Sequence, residues 1–261
     1  MLKAERQRRI LEALQQNGNV LVSDICEQFN VSEMTIRRDL KDLEHQGLLR
    51  RVHGGAITDL GRSYEPAFQL RETKNVEAKQ RIARRAAKMV FDGDSIALDT
   101  GTTTLEIARA LVGTYNLTIV TASLPIANAV ASSFALENNV RLVLTGGTVR
   151  ASEHSMVGHI AERTYRELHV DKAFIGIGGI DLKEGLTEYN LEDALVKRTL
   201  LASARQRILV ADGSKFNRVV FAAVCPLSYL DTIITDRSAP DDALDALREA
   251  GLEVIVADET L

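Results

Sequence analysis

The chain has 261 residues, 45% of them hydrophobic and 26% charged, enough to bury a core in one large or two modest domains, which excludes a disordered or fibrous chain. Its 32 Lys and Arg against 36 Asp and Glu leave a net charge of −4, so no global positive field draws it onto nucleic acid or anionic lipid, and any such binding has to be local. The two cysteines, Cys26 and Cys225, lack disulfide-scaffold density and zinc spacing and read as buried small hydrophobes in a reducing compartment. No apolar run approaches the roughly 18 residues of a membrane span, and the opening segment has no apolar h-region, so a cytosolic protein without a membrane partner is expected.

In chain order, Ile10, Leu11 and Leu14 recur at helical spacing until Asn17-Gly18 stops the helix. Ser23 as N-cap, with Asp24 in the first turn, opens a short helix through Phe29. After Asn30-Val31, Ser32 caps a longer helix with Glu33 at its positive end; Ile36, Leu40 and Leu43 are its buried stripe, and Gly47 suits a left-handed C-terminal position. Residues 48–57 read as two short strands around His53-Gly54-Gly55. Three helices and a hairpin make a winged helix-turn-helix over residues 1–57, followed by a polar connector at 58–75.

From residue 76 to 261 the pattern changes to strands at 95–99, 118–121, 141–145, 173–177, 207–211, 232–235 and 253–257. Helical patterns at 82–90, 105–111, 126–133, 161–168, 192–204 and 241–250 separate most of them. This alternation predicts an open, mostly parallel α/β sheet covered on both faces, with ligand beyond the carboxyl ends of the strands.

On the third helix, Met34, Arg37, Arg38 and Lys41 fall away from the apolar stripe. That face fits a major groove, where an arginine fork pairs with guanine and another cation neutralises phosphate. Ser32 and Thr35 add hydroxyl and backbone contacts at the helix start, and Arg50, Arg51, His53 and Gly54 present a wing to the neighbouring backbone. Charge alone does not make this case, because residues 1–57 hold nine basic against eight acidic side chains and Arg38 and Asp42 have the spacing of a surface ion pair. The order of elements around Met34-Thr35-Ile36-Arg37-Arg38-Asp39-Leu40 does.

Those residues, with Arg6-Gln7-Arg8-Arg9-Ile10-Leu11, Val31-Ser32-Glu33 and Arg51-Val52-His53-Gly54-Gly55-Ala56, resemble the DeoR family of bacterial transcription regulators. The resemblance runs on through Glu77-Ala78-Lys79, Asp99-Thr100-Gly101-Thr102-Thr103-Thr104, Thr145-Gly146-Gly147, Gly176-Ile177-Gly178-Gly179-Ile180-Asp181 and Asp212-Gly213-Ser214-Lys215-Phe216. It implies a DNA-binding repressor of sugar catabolism, occasionally an activator, induced by a phosphorylated intermediate.

The residues themselves support an effector pocket. Asp99 ends the first strand of the second block, and Thr100, Gly101, Thr102, Thr103 and Thr104 then form a turn into a helix. Glycine allows close backbone approach, and the N–H groups and hydroxyls suit phosphate. Thr121, Ser123, Gly146, Gly147, Gly178, Glu188, Asp212 and Lys215 converge on the same end of the sheet, with Lys215 as counter-charge and Glu188 or Asp99 as acceptors for sugar hydroxyls. The run from Gly176 lacks the last glycine of G-x-G-x-x-G and the run from Asp212 lacks P-loop spacing, so neither NAD nor ATP is favoured, and no cofactor or metal is expected.

This half also resembles the sugar-phosphate isomerases related to ribose-5-phosphate isomerase. An isomerase-like enzyme carrying a DNA-binding head is therefore the rival reading, but the stretch Gly185-Leu186-Thr187-Glu188-Tyr189-Asn190 lacks the lysine-glycine loop such catalysis needs. Glu192 reads as a helix-dipole partner. A single small reading head covers few base pairs, so a homodimer or tetramer assembled through the larger block is expected.

Overall fold

A computed structural model describes residues 2–45, 48–57, 61–111, 113–133 and 138–257, and the chain divides into two units that meet in sequence between Ala67 and Phe68. The first contains α1 (Lys3–Asn17), β1 (Asn19–Leu21), α2 (Val22–Phe29), α3 (Glu33–His45), β2 (Arg50–Val52) and β3 (Gly55–Ile57). Ile10 and Leu14 of α1, Val22 and Ile25 of α2, and the α3 stripe Ile36, Leu40 and Leu43 bury together with Leu49 and Ala56. Gly18, at φ +73°, ends α1 by returning its N–H to the Leu14 carbonyl at 2.8 Å. A buried ion pair between Arg6 and Asp39 ties α1 to α3.

Two details depart from expectation. Ser23 is not the cap of the second helix: Leu21 holds that position, and the Ser23 hydroxyl turns to Asp24 Oδ1 at 2.8 Å. The hairpin supplies what the serine does not, because the Val22 N–H donates to the Gly54 carbonyl at 2.8 Å. The wing also has three strands, in the order β1-β3-β2, since Asn19–Leu21 pairs with the hairpin. Three residues are too few for strand alternation to show in a sequence. Gly47 lies outside the described residues, as do residues 58–60 of the connector.

The second unit opens with α4 (Phe68–Glu72) and α5 (Val76–Ala87) and continues through β4 (Ser95–Leu98), α6 (Thr102–Ala110), β5 (Thr118–Thr121), α7 (Leu124–Ser133) and β6 (Arg141–Leu144). Then come β7 (Thr148–Arg150), β8 (Ser155–Val157), α8 (His159–Arg166), β9 (Val170–Ile175), β10 (Gly179–Asp181), β11 (Gly185–Glu188) and α9 (Leu191–Ala202). The last described elements are β12 (Ala204–Val210), β13 (Ala222–Cys225), β14 (Thr232–Asp236), α10 (Asp241–Glu249) and β15 (Glu253–Ala257).

All seven strands read from the sequence join one sheet, in the order β15-β14-β12-β9-β4-β5-β6, and every neighbouring pair is parallel. Alternate strand residues point to opposite faces. Ile96, Leu98, Ile119, Phe174 and Ile208 pack with α5, α6 and α7, whereas Ala97, Val120, Ile175 and Leu209 pack with α8, α9 and α10. From β4 the chain steps outward through β5 to β6, then returns to β9 on the other side of β4 and runs out to β15. That reversal puts a crevice at the carboxyl ends of β4 and β9.

The sequence reading missed the β7–β8 hairpin, the antiparallel sheet β10-β11-β13 and α4. These elements are short, and α4 falls in residues read as connector. Phe68, only 4% exposed, makes α4 part of the second unit's core, which therefore begins before residue 76. α5 likewise starts at Val76, six residues before the helical pattern becomes visible. Both cysteines are only partly buried rather than buried.

Gly55 is the tightest point of the wing, since a Cβ there would lie 2.1 Å from the Val20 carbonyl oxygen. Gly55→Ala should therefore cost the first unit on the order of 2 kcal/mol through displacement of β1, seen as a lower unfolding midpoint for that unit with the second unit's transition unchanged.

Candidate DNA-reading surface and effector pocket

α3 buries one side and offers the other to solvent. Met34 is 81% exposed, and Arg37, Arg38 and Lys41 are exposed beside it. Ser32 caps the helix, its Oγ accepting the Thr35 N–H at 3.4 Å and lying 2.9 Å from Thr35 Oγ1. Arg37 donates from Nε and Nη2 to Glu33 Oε1 at 2.9 and 2.6 Å. An exposed pair of this kind is worth about 1 kcal/mol or less and yields readily to a phosphate or a guanine edge. Asp42 pairs with Lys3 at 2.7 Å, and Arg38 and Lys41 have no ion pair among the described residues.

In the wing, Arg50, Arg51, His53 and Gly54 are exposed, with Gly54 turning the tip at φ +79°. Arg51 is tied back to α3, its N–H donating to Glu44 Oε1 at 2.9 Å and its Nε to Glu44 Oε2 at 2.7 Å. Arg50 and His53 are the wing groups directed to solvent without such a tether among the described residues.

In the second unit, the crevice between β4 and β9 holds the threonine turn. The first bond of α6 runs from the Leu105 N–H to the Gly101 carbonyl at 3.1 Å, so the N–H groups of Thr102, Thr103 and Thr104 precede the intrahelical ladder. Gly101 adopts φ +154°, a conformation that other residues rarely take. Thr104 spends its hydroxyl on the Gly101 carbonyl at 3.0 Å, and Thr100 Oγ1 donates to Asp193 Oδ1 at 3.4 Å. Thr102 and Thr103 are left as the hydroxyls of the turn without an internal bond among the described residues.

Beneath the turn lies a charge cluster. The Lys197 ammonium of α9 donates to Asp99 Oδ2 at 2.5 Å and lies 3.5 Å from both Glu188 Oε2 and Asp193 Oδ2, and all four side chains are at most 5% exposed. Asp99 Oδ2 also accepts the Gly176 N–H at 3.0 Å. Burial alone would lower the Lys197 pKa, but Asp193, Asp99 and Glu188 override it and hold the ammonium above its ordinary value. Burial and the neighbouring Asp193 push Asp99 up to about 6, against the pull of Lys197. Gly178 makes room for the cluster, because a Cβ there would meet Glu188 Oε1 at 2.8 Å and the Tyr189 ring at 2.9 Å.

Asp212 Oδ1 accepts from the Ser214 N–H at 3.0 Å and Asn75 Nδ2 at 3.2 Å, which fixes the short 3-10 turn Gly213–Lys215. Lys215, at the end of that turn, has no ion pair among the described residues. Burial and then the nearby Arg71 guanidinium lower its pKa, with Asp212 and Glu188 opposing. Burial also lowers the Lys79 ammonium to about 8, and Lys215 and Arg71 add to that effect. Lys79, Lys215 and the ion-paired Arg71 thus lie within electrostatic reach of one another and of Asp212.

Other predicted positions serve the framework. Thr121 Oγ1 accepts the Ser123 N–H at 3.1 Å and Ser123 Oγ accepts the Ile126 N–H at 3.3 Å, so both hydroxyls organise the turn into α7. Gly146 and Gly147 pack the β6–β7 link, and a Cβ on Gly147 would meet the Val157 carbonyl at 2.6 Å. Asp193 and Lys197 escaped the sequence reading because charged residues within a helix read as solvated. Their signal was present, since Lys197 shares its stripe with Ala194, Val196, Leu200 and Leu201.

A winged helix with a cationic exposed face, followed by a parallel α/β unit whose crevice presents a threonine-rich turn at a helix start, defines the class of ligand-sensing DNA-binding regulators. The description "DeoR-like helix-turn-helix domain" matches residues 6–60 and "DeoR C terminal sensor domain" matches residues 74–237, so the chain belongs to the DeoR family. It is 35% identical over 257 residues to the HTH-type transcriptional regulator GlpR of Haloferax volcanii, covering 98% of each chain. It is 32% identical over 254 residues to the glycerol-3-phosphate regulon repressor of Escherichia coli K12, covering 97% of this chain and 99% of that one. The lactose phosphotransferase system repressor of Staphylococcus epidermidis is 33% identical over 91% of this chain and 94% of its own. Ribose 5-phosphate isomerase A from Neisseria gonorrhoeae overlaps 55% of each chain at 16% identity and TM-score 0.40, an overlap on which nothing about activity rests.

Among the described residues, no group of His, Cys, Asp or Glu is arranged to hold a metal ion, and no helix is long and apolar enough to cross a membrane.

The raised Asp99 pKa carries a definite sign. Between its unfolded value of 3.8 and its folded value of about 6, the folded state binds the extra proton, so this group's contribution to stability falls as pH rises through that window. Measured by urea unfolding across that range, the parent should lose on the order of 3 kcal/mol relative to Asp99→Asn.

Proposed function

We propose that this protein represses a carbohydrate operon, binding its operator through α3 and the wing and releasing it when a phosphorylated sugar occupies the crevice at Asp99 and the threonine turn. The observation that carries the sensing half is that the Thr102 and Thr103 hydroxyls and first-turn N–H groups of α6, without an internal partner among the described residues, lie at the same carboxyl end of the sheet as the partly buried Lys215, which has no ion pair among those residues. Phosphate would take the N–H groups and the ammonium, while Glu188 and Asp99 would accept from sugar hydroxyls. Relatives named as repressors of a glycerol-3-phosphate regulon and of a lactose phosphotransferase system support a role in carbohydrate metabolism.

Turnover is not part of this reading. Lys197 and its carboxylates are engaged in mutual ion pairs, and the stretch Gly185 to Asn190 lacks the lysine-glycine loop that would polarise an isomerase substrate's carbonyl. The assembly is a homodimer or tetramer, because one small head cannot hold an operator alone, and the protein acts in the cytosol without cofactor or membrane partner.

Fluorescence anisotropy with a genomic operator fragment, repeated against a panel of sugar phosphates at fixed salt, tests both halves. Replacing Arg37 and Arg38 together with alanine should weaken operator binding by about 100-fold or more while the chain stays folded. Lys215→Ala should leave operator affinity intact and blunt release by the active sugar phosphate. Undiminished binding by the double variant, parent-like release by the lysine variant, or isomerisation of ribose 5-phosphate at enzymatic rates would overturn the reading.

A further inference from the structure

α4 is the first element the chain forms on entering the second unit, and it is fastened to both walls of the crevice. On one side the Phe68 N–H donates to the Ser152 carbonyl at 3.2 Å, the Phe68 ring stands edge-on to His154 with centroids 6.0 Å apart, and Arg71 forms an ion pair with Glu153. These three partners are the turn of the β7–β8 hairpin, whose Arg150 lies 4.0 Å from Asp193 in the charge cluster. On the other side Glu72 accepts from Arg109 Nη2 at 3.1 Å, on the helix whose first turn is Thr102 to Thr104. Lys79 closes the arrangement by donating its ammonium to the Arg71 carbonyl.

We propose that Arg71 is a further ligand of the effector phosphate, and that its transfer from Glu153 to that phosphate shifts α4 and so carries occupancy of the crevice into the chain leading to the reading head. This rests on the crevice being the effector site. A phosphate dianion offers a guanidinium the same paired-oxygen geometry as a carboxylate with more charge, and beside Lys79 and Lys215 it is favoured over Glu153. Arg71 alone among these cations stands on the segment continuous with Ala67. Its guanidinium is stacked 6.0 Å from the Phe68 ring, so a new partner for Arg71 disturbs the aromatic anchor of α4 as well.

Hydrogen exchange read by mass spectrometry on the full chain, with and without inorganic phosphate at matched ionic strength, tests this. In the parent, phosphate should protect the amides of the threonine turn and change exchange within residues 68–72 by roughly five-fold or more. In Arg71→Ala the turn should still be protected while residues 68–72 no longer respond, and Arg71→Lys should restore part of the response. Glu153→Gln, which releases Arg71 without removing it, should put residues 68–72 near the phosphate-bound exchange rate before phosphate is added. A protected turn with residues 68–72 unchanged in the parent, or a parent-like response in Arg71→Ala, overturns the proposal and leaves the effector site standing. No protection at the turn overturns the site and this proposal together.

Discussion

One ammonium organises the second unit. Lys197 reaches from α9 to carboxylates that follow β4, end β11 and lie one turn back on its own helix, so a helix and two sheets are joined at a single buried point. Taking four ionisable groups out of water is costly unless each finds a partner, and a change to one member is felt by the others. The cost is met where the strand order reverses, which is also where the threonine turn begins α6. The cluster holds three carboxylates around its one ammonium.

The first unit solves a different problem with a much smaller core. Its apolar side chains sit on three short helices, and the buried Arg6–Asp39 pair fixes how the first crosses the third. The motif residue Asp39 therefore belongs to the interior of the head, whereas its neighbours Arg37 and Arg38 belong to the surface. Adjacent residues in one short run thus do separate jobs, one holding the helix and two presenting it.

The repeating patterns were legible before any coordinates. Seven strand segments and the helices between them alternate clearly enough to place the parallel sheet, and the Ile36, Leu40 and Leu43 stripe identifies the buried side of the reading helix. What escaped was short or depended on distant partners. Asn19–Leu21 and Thr148–Arg150 are three-residue strands defined by pairing, which has no local period. α4 looks like connector until Phe68 is seen to have a core to enter. Lys197 is an ordinary helical lysine until three carboxylates arrive from other parts of the chain. The threonine turn is visible in the sequence because its residues are contiguous; the ties of Arg71 to Glu153 and of Lys79 to the Arg71 carbonyl are not, because folding assembles them.

The link from the Val22 amide to the Gly54 carbonyl has a mechanical consequence. It couples the wing tip to the start of the helix that precedes the reading helix, while Glu44 couples Arg51 of the wing to the reading helix itself. Wing and helix behave as the two jaws of a calliper set at a fixed opening. The separation of the two is therefore set by bonds within the unit itself, at Val22–Gly54 and Arg51–Glu44.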